Sequence, residues 1–165
     1  MSLLYVVDGY NAIKRSSRFD HKILKEARSR FLTWIEHERP HGSLRNHLIV
    51  VFDGSSEVFG FKEPASFEVI YTSGESADDK IKKIVADFPG PKEIVVVTDD
   101  KDLALSVRSK GAKIMSTDEF LSKKGAGKKV SSRLSRMEHQ IDLSIVEKEK
   151  ITEELKNIWL NKKSS

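Results

Sequence analysis

Aspartate is the residue type whose placement in this chain could do chemistry. Three short apolar runs end in it: Leu4–Val7 before Asp8, Ile49–Phe52 before Asp53, and Ile94–Thr98 before Asp99-Asp100. Asp78 and Asp79 stand at the start of a helical pattern, and Asp102 follows Asp100 by two residues. If the three runs are parallel strands, their carboxyl ends share one edge, where open α/β sheets bind ligands. A right-handed crossover brings the start of each following helix to that same edge. Up to seven carboxylates would then face one cleft. Like charges within ~4–6 Å raise one another's pKa, at about 1.4 kcal/mol per unit. A hard divalent cation relieves that repulsion, and all-oxygen ligation suits Mg²⁺ or Mn²⁺. One ion polarises a phosphate; two ions ~3.5–4 Å apart hold an attacking water and a leaving oxygen in line. Helix N-termini after Ser76 and Thr98 favour a phosphate in the same place.

Each aspartate also has a plainer reading. Asp8-Gly9 and Asp53-Gly54 read equally as strand-ending turns. Asp78 and Asp79 complement a helix dipole. Asp99 reads as the N-cap of the helix that follows, with Asp100 and Asp102 in its first turn. Capping alone, however, does not require every strong apolar run to end in acid on one edge, so the combination favours the cation site. Cysteine is absent, which excludes a thiolate zinc site and a Cys nucleophile. His21, His37, His41, His47 and His139 lie outside the acidic motifs, so no imidazole base is expected and these read as surface or packing residues.

The elements that must position these acids follow from hydrophobic pattern. Leu3–Val7 and, from Leu48 on, the segment His47–Phe52 are unbroken apolar runs, the mark of strands buried on both faces. Residues 20–38 place Ile23, Leu24, Ala27, Phe31, Trp34 and Ile35 on one helical face, with Asp20 as N-cap and Pro40 as stop. Phe67–Thr72 is a third strand. Ser76 opens a helix with Asp79 three residues on, a capping-box variant, and an apolar face of Ile81, Ile84, Val85 and Phe88. Pro89-Gly90-Pro91 breaks it. Glu93–Thr98 is a strand. A helix carrying Leu103, Leu105 and Val107 follows and closes at Gly111. Ala112–Met115 is a last strand and Asp118–Leu121 a last turn. Strands alternating with helices predict an α/β domain with a mainly parallel sheet.

The chain has 165 residues, 33% of them charged. Its longest apolar runs are far too short to span a membrane. Met1-Ser2 runs straight into a strand, leaving no room for a charged leader and cleavage site, which predicts a cytoplasmic protein without a membrane partner. Charge is unevenly placed: residues 1–121 carry a net −1 and residues 122–165 a net +5. Residues 122–136 hold Lys123, Lys124, Lys128, Lys129, Arg133 and Arg136 and no acid, with serine and glycine between them. They read as a basic linker or arm, either contacting a polyanion, nucleic acid first, or merely solvated. Residues 137–165 read as a helical extension, with Ile158-Trp159-Leu160 to bury against the body or a second copy of the chain. Lys14, Arg15 and Arg18 either flank the cleft or sit in a solvated loop.

Val6-Val7-Asp8-Gly9-Tyr10-Asn11-Ala12-Ile13 resembles the opening signature of the NYN domain, in the YacP-like branch of the PIN-like nucleases. Val51-Phe52-Asp53-Gly54 is similar to its second motif, and Glu75-Ser76-Ala77-Asp78-Asp79 to its third, where Thr is commoner than Ser76. Val97-Thr98-Asp99-Asp100-Lys101-Asp102 resembles the PIN-type Thr-Asn/Ser-Asp-x-Asp motif, with Asp99 in place of Asn or Ser. The resemblance covers residues 3–121. It implies a three-layer α/β/α PIN-like (Rossmannoid) domain over 1–121 and Mg²⁺- or Mn²⁺-dependent cleavage of RNA, structured or ribosome-associated RNA included. Carried over, Asp8, Asp78, Asp100 and Asp102 are the acidic ligands, with Asp53 as a further contributor. Asn11 hydrogen-bonds near the metal or the scissile phosphate, and Thr98 orients a carboxylate. Asp99 departs from the pattern and is expected to cap. Asp79 and Glu75 fit the site rim or helix capping. Lys14, Arg15 and the six basic residues of the arm are the expected RNA contacts.

Two other readings compete. One is an RNA-binding module with an inactive site, against which the complete acidic set argues; the other is a PIN-type toxin ribonuclease. A haloacid-dehalogenase-type phosphatase lacks its second Asp after Asp8, and no Gly-x-Gly-x-x-Gly supports a nicotinamide enzyme.

Overall fold

The computed structural model describes residues 1–54 and 66–123. The chain runs β1 (Leu4–Asp8), α1 (Gly9–Arg15), a 3₁₀ turn (Ser17–Phe19), α2 (Leu24–Glu38), β2 (His47–Asp53), β3 (Glu68–Thr72), α3 (Ala77–Asp87), a second 3₁₀ turn (Pro91–Glu93), β4 (Ile94–Val97), α4 (Lys101–Ser109), β5 (Lys113–Met115) and α5 (Thr117–Ser122). The five strands form one sheet in the order β3-β2-β1-β4-β5, and every pairing is parallel. β1 therefore lies at the centre, flanked by the most apolar strands.

Side chains alternate across the sheet, and each face is covered by helices. Tyr5, Val7, Val50, Phe52, Val95 and Val97 point to the side closed by α1, α2 and α5 through Ala12, Phe31, Leu32, Ile35 and Phe120. Leu4, Val6, Val51, Ile94 and Val96 point to the side closed by α3 and α4 through Ile81, Val85, Leu103 and Val107. This is the three-layer α/β/α arrangement. It accounts for the unbroken apolar runs: a strand covered on both faces has no polar side to show.

Several expectations are corrected. α1 has no apolar stripe to announce it; only Gly9, Ala12 and Ile13 are buried, and the Asp8 side chain caps it. Asp20 does not cap α2. It ends the 3₁₀ turn that buries Phe19, and α2 starts at Leu24 behind Ile23, which makes no side-chain cap. Ile23 and Leu24 are consequently exposed, and Leu32 joins the buried face instead. Leu105 is also exposed: Leu103 and Val107 are one helical repeat apart and face the sheet, and the residue midway faces solvent. Gly111 adopts φ +96° just past α4, the left-handed stop its type favours. Ser122, placed in the basic arm, is the last residue of α5. The rest of residues 122–136 beyond Lys123, and the helix expected over 137–165, lie outside the described residues.

Candidate acidic site at the sheet edge

The chain winds outward from β1 through β2 to β3, then returns to the other side of β1 for β4 and β5. The winding reverses between β1 and β4, and a crevice opens there at the carboxyl edge. Asp8 ends β1 on one side of it, and Thr98-Asp99-Asp100 leave β4 on the other.

Asp8 accepts a hydrogen bond from the Asn11 amide, 3.4 Å from Oδ1, and so starts α1. Its carboxyl is pushed up to about 6, first by burial and further by the charges of Asp78 and Asp100; the Asn11 amide and Lys14 pull it down. Asp78, in the first turn of α3, is also raised, by burial first, then Asp100, with Asp79 and Asp53 adding and Lys82 opposing. Three carboxylates from three different elements thus share one electrostatic field, with Asp53 at its margin. Asp53 receives the Thr72 hydroxyl at 3.3 Å. Asp53, Gly54, Thr72, Glu75, Ser76 and Asp79 line a cleft of about 540 Å³ beside it.

The N-cap of α4 is Asp100, not Asp99. Asp100 Oδ1 accepts from the amides of Asp102 and Leu103, both at 2.9 Å. The Asp100 amide in turn donates to the buried Thr98 hydroxyl at 3.1 Å, so Thr98 sets the backbone that carries this carboxylate. Asp99 turns the other way. Its Oδ1 accepts from the Thr117 amide at 3.0 Å and its Oδ2 lies 3.6 Å from Arg15 Nε, tying β4 to α5 and α1. The cap falls one residue later because Asp99 is drawn off to that neighbour.

Asn11 spans the crevice. Its Oδ1 accepts from the Asp99 amide and from the Thr117 hydroxyl, both at 3.2 Å. Thr117 is fully buried and was not expected in the site; Ser116 with Glu119 three residues on signals a helix start, but nothing local signals a bond to residue 11. Asp79 forms a capping box with Ser76, its Oδ2 accepting the serine hydroxyl at 2.9 Å. Glu75 pairs with Lys83 and Lys80. Asp102 is exposed on α4, and its charge is not among those that raise Asp8 or Asp78.

The basic residues divide similarly. Lys14 is exposed and near enough to act on Asp8. Arg15 is committed to Asp118, 2.9 Å away. Lys123 lies 3.9 Å from Glu119 and over the Tyr5 ring. Lys124, Lys128, Lys129, Arg133 and Arg136 lie outside the described residues.

The donors at the crevice are all carboxylate oxygens, which suits a hard divalent cation. Among the described residues no three acidic or histidine side chains form a ready-made ligand set. A cation here would draw the rest of its shell from water and substrate oxygens, as Mg²⁺ commonly does. Among the described residues no helix is long and apolar enough to cross a membrane.

Comparison with solved structures finds crystal structures of Rae1 (YacP) from Bacillus subtilis. One superposes with a TM-score of 0.64 at 26% identity, covering 96% of this chain and 92% of that one. A second, of a tryptophan-to-leucine mutant of the same protein, gives 0.62 at 26% identity, covering 85% and 84%. No curated protein matches the sequence. The family description of the YacP-like NYN domain matches residues 5–163, taking in nearly the whole chain and the basic segment with it. Sheet order, the motifs at its edge and that match agree, and the chain belongs to the YacP-like NYN domains, a family within a nuclease superfamily of PIN-like fold.

Proposed function

We propose that this protein is a divalent-cation-dependent ribonuclease that hydrolyses RNA phosphodiester bonds, as an endonuclease, at the β1/β4 crevice. The observation that carries the reading is the convergence of Asp8, Asp78 and Asp100, each from a different element, with Asp8 raised to about 6. Such a cluster is unfavourable unless a cation is held there.

Asp8, Asp78 and Asp100 would hold Mg²⁺ or Mn²⁺, one ion or two, with Asp53 and Asp102 as outer contributors. When bound, the cation lowers the pKa of a water and stabilises charge on the phosphate. The chain's own residues do the rest. Asp8 is ionised at neutral pH, above its raised carboxyl value. Thr98 holds the turn that presents Asp100. Asn11, with its Oδ1 occupied twice, keeps its NH₂ group for a phosphate oxygen. Lys14 adds positive charge beside Asp8. Water attacks phosphorus and one bridging oxygen leaves with the departing strand.

The test is incubation of end-labelled structured and unstructured RNAs with Mg²⁺, Mn²⁺ or a chelator, using the wild-type chain and Asp100→Asn, in which asparagine still caps α4. Cation-dependent internal cuts, lost in the variant, are expected; cutting that persists in the variant overturns the assignment. A second reading, an RNA-binding module with an inactive site, draws on the lack of a ready-made ligand set among the described residues. It predicts RNA binding with no cleavage and no rise in melting temperature on titration with Mg²⁺ or Mn²⁺. RNA is the partner in either case, ribosome-bound RNA included. A second copy joined through residues 137–165 would double the mass in light scattering.

A further inference from the structure

Asn11, Asp99 and Thr117 close a triangle of hydrogen bonds across the crevice. The Asp99 amide and the Thr117 hydroxyl both donate to Asn11 Oδ1 at 3.2 Å, and the Thr117 amide donates to Asp99 Oδ1 at 3.0 Å. The corners belong to α1, to the turn after β4 and to the start of α5. This triangle decides which way the Asn11 amide faces. A backbone N–H can only donate, so the side-chain atom it meets is the oxygen. The NH₂ group is therefore turned away from the Asp99 amide and from Thr117. Among the described residues it has no partner, and it is not buried, so a ligand can reach it. Its place is fixed beside the acids, because the backbone amide of Asn11 sits on Asp8 Oδ1. The Thr117 hydroxyl has no other task. Ser116 already caps α5 by accepting from the Glu119 amide, so Thr117 is not needed to start that helix.

We propose that Thr117 is a positioning residue: its buried hydroxyl holds the Asn11 amide so that the NH₂ group donates to a phosphate oxygen of RNA in the crevice. This rests on the RNA-cleft reading above. Two donors on one oxygen hold the amide plane; with the hydroxyl gone, the Asp99 amide alone holds it and the side chain can swing about that single bond. A bond to a charged phosphate oxygen is stronger and shorter than a neutral one, so its strength depends on that aim. Thr117 never touches the RNA and acts only through Asn11.

The experiment measures anisotropy of a labelled, unstructured RNA oligonucleotide in Mg²⁺, with the full chain carrying Asp100→Asn so that nothing is cut. In that background Asn11→Ala should weaken binding about tenfold, the loss of one charge-assisted bond. Thr117→Val, which keeps the shape and removes the donor, should weaken it about threefold, and Thr117→Ser should restore it. Thr117→Val added to Asn11→Ala should cause no further loss, because the two residues act as one. A merely structural role would carry the same loss into the Asn11→Ala chain and would not be rescued by serine alone. Unchanged affinity in Asn11→Ala or in Thr117→Val, or equal losses from Thr117→Val in both backgrounds, overturns the proposal. If Thr117→Val does not fold, Thr117→Ala takes its place and the same comparison decides. These readings concern binding. A wild-type chain that cuts no RNA with Mg²⁺ or Mn²⁺ would overturn the ribonuclease reading and leave this measurement intact.

Discussion

Asp8 has two jobs that oppose each other. Its carboxylate starts α1, and its charge stands half-buried beside Asp78 and Asp100. Because its folded value, about 6, lies above the ordinary 3.8, the folded state holds this proton more tightly than the unfolded chain does. Stability from this group is therefore greatest at acid pH and falls as pH rises from about 4 to about 6, by up to about 3 kcal/mol. Asp8→Asn keeps a capping side chain and removes the charge. In chelator, its melting temperature should exceed that of wild type at pH 7 and converge with it near pH 4, while cleavage is lost; parallel melting curves across that range would reject this account. Thr98 gives a milder case. Thr98→Val retains the shape but withdraws the acceptor from the Asp100 amide. We expect about 1–2 kcal/mol of destabilisation in denaturant melts and a fall in cleavage of about tenfold. Unaltered cleavage would mean that Asp100 does not depend on this turn.

Between elements, the tightest fit is where α1 leaves β1. A Cβ on Gly9 would lie 2.3 Å from the Phe52 ring, and that ring is fully buried between Tyr10 and Tyr71. Gly9→Ala should therefore cost about 1–3 kcal/mol, read from the denaturation midpoint; a neutral result would show that the ring can yield. The glycine of the Asp8-Gly9 motif is thus a packing requirement and not a turn. The strands were legible because burial on both faces leaves an unbroken apolar word, as in Ile94–Val97. α3 was legible because Ser76 and Asp79 announce its start. α1 was not, since a helix of seven residues with two apolar side chains inward has no periodicity to detect. Asp99 and Asp100 could not be ordered locally, because what separates their roles is Thr117, 18 residues away.

Over the whole molecule, the acids lie in the described body and the excess positive charge beyond it. Replacing Lys123, Lys124, Lys128, Lys129, Arg133 and Arg136 by Gln should lower the salt slope of RNA binding, by up to about 4 if every one meets a phosphate. An unchanged slope would make the arm a solvated linker. The acidic motifs and their common edge were legible in sequence, because parallel strands need only be recognised for their ends to align. The strand order was not, nor was the exposure of Asp102, since both are set by non-local pairing. The bond from Thr117 to Asn11 joins residues 106 apart, and Asp100 faces Asp8 only once β4 has paired with β1. During synthesis, then, the first motif leaves the ribosome long before its counterparts exist. A growing chain carries no assembled crevice until β4, β5 and α5 have emerged, so whatever this edge binds meets no finished site for most of the chain's own translation.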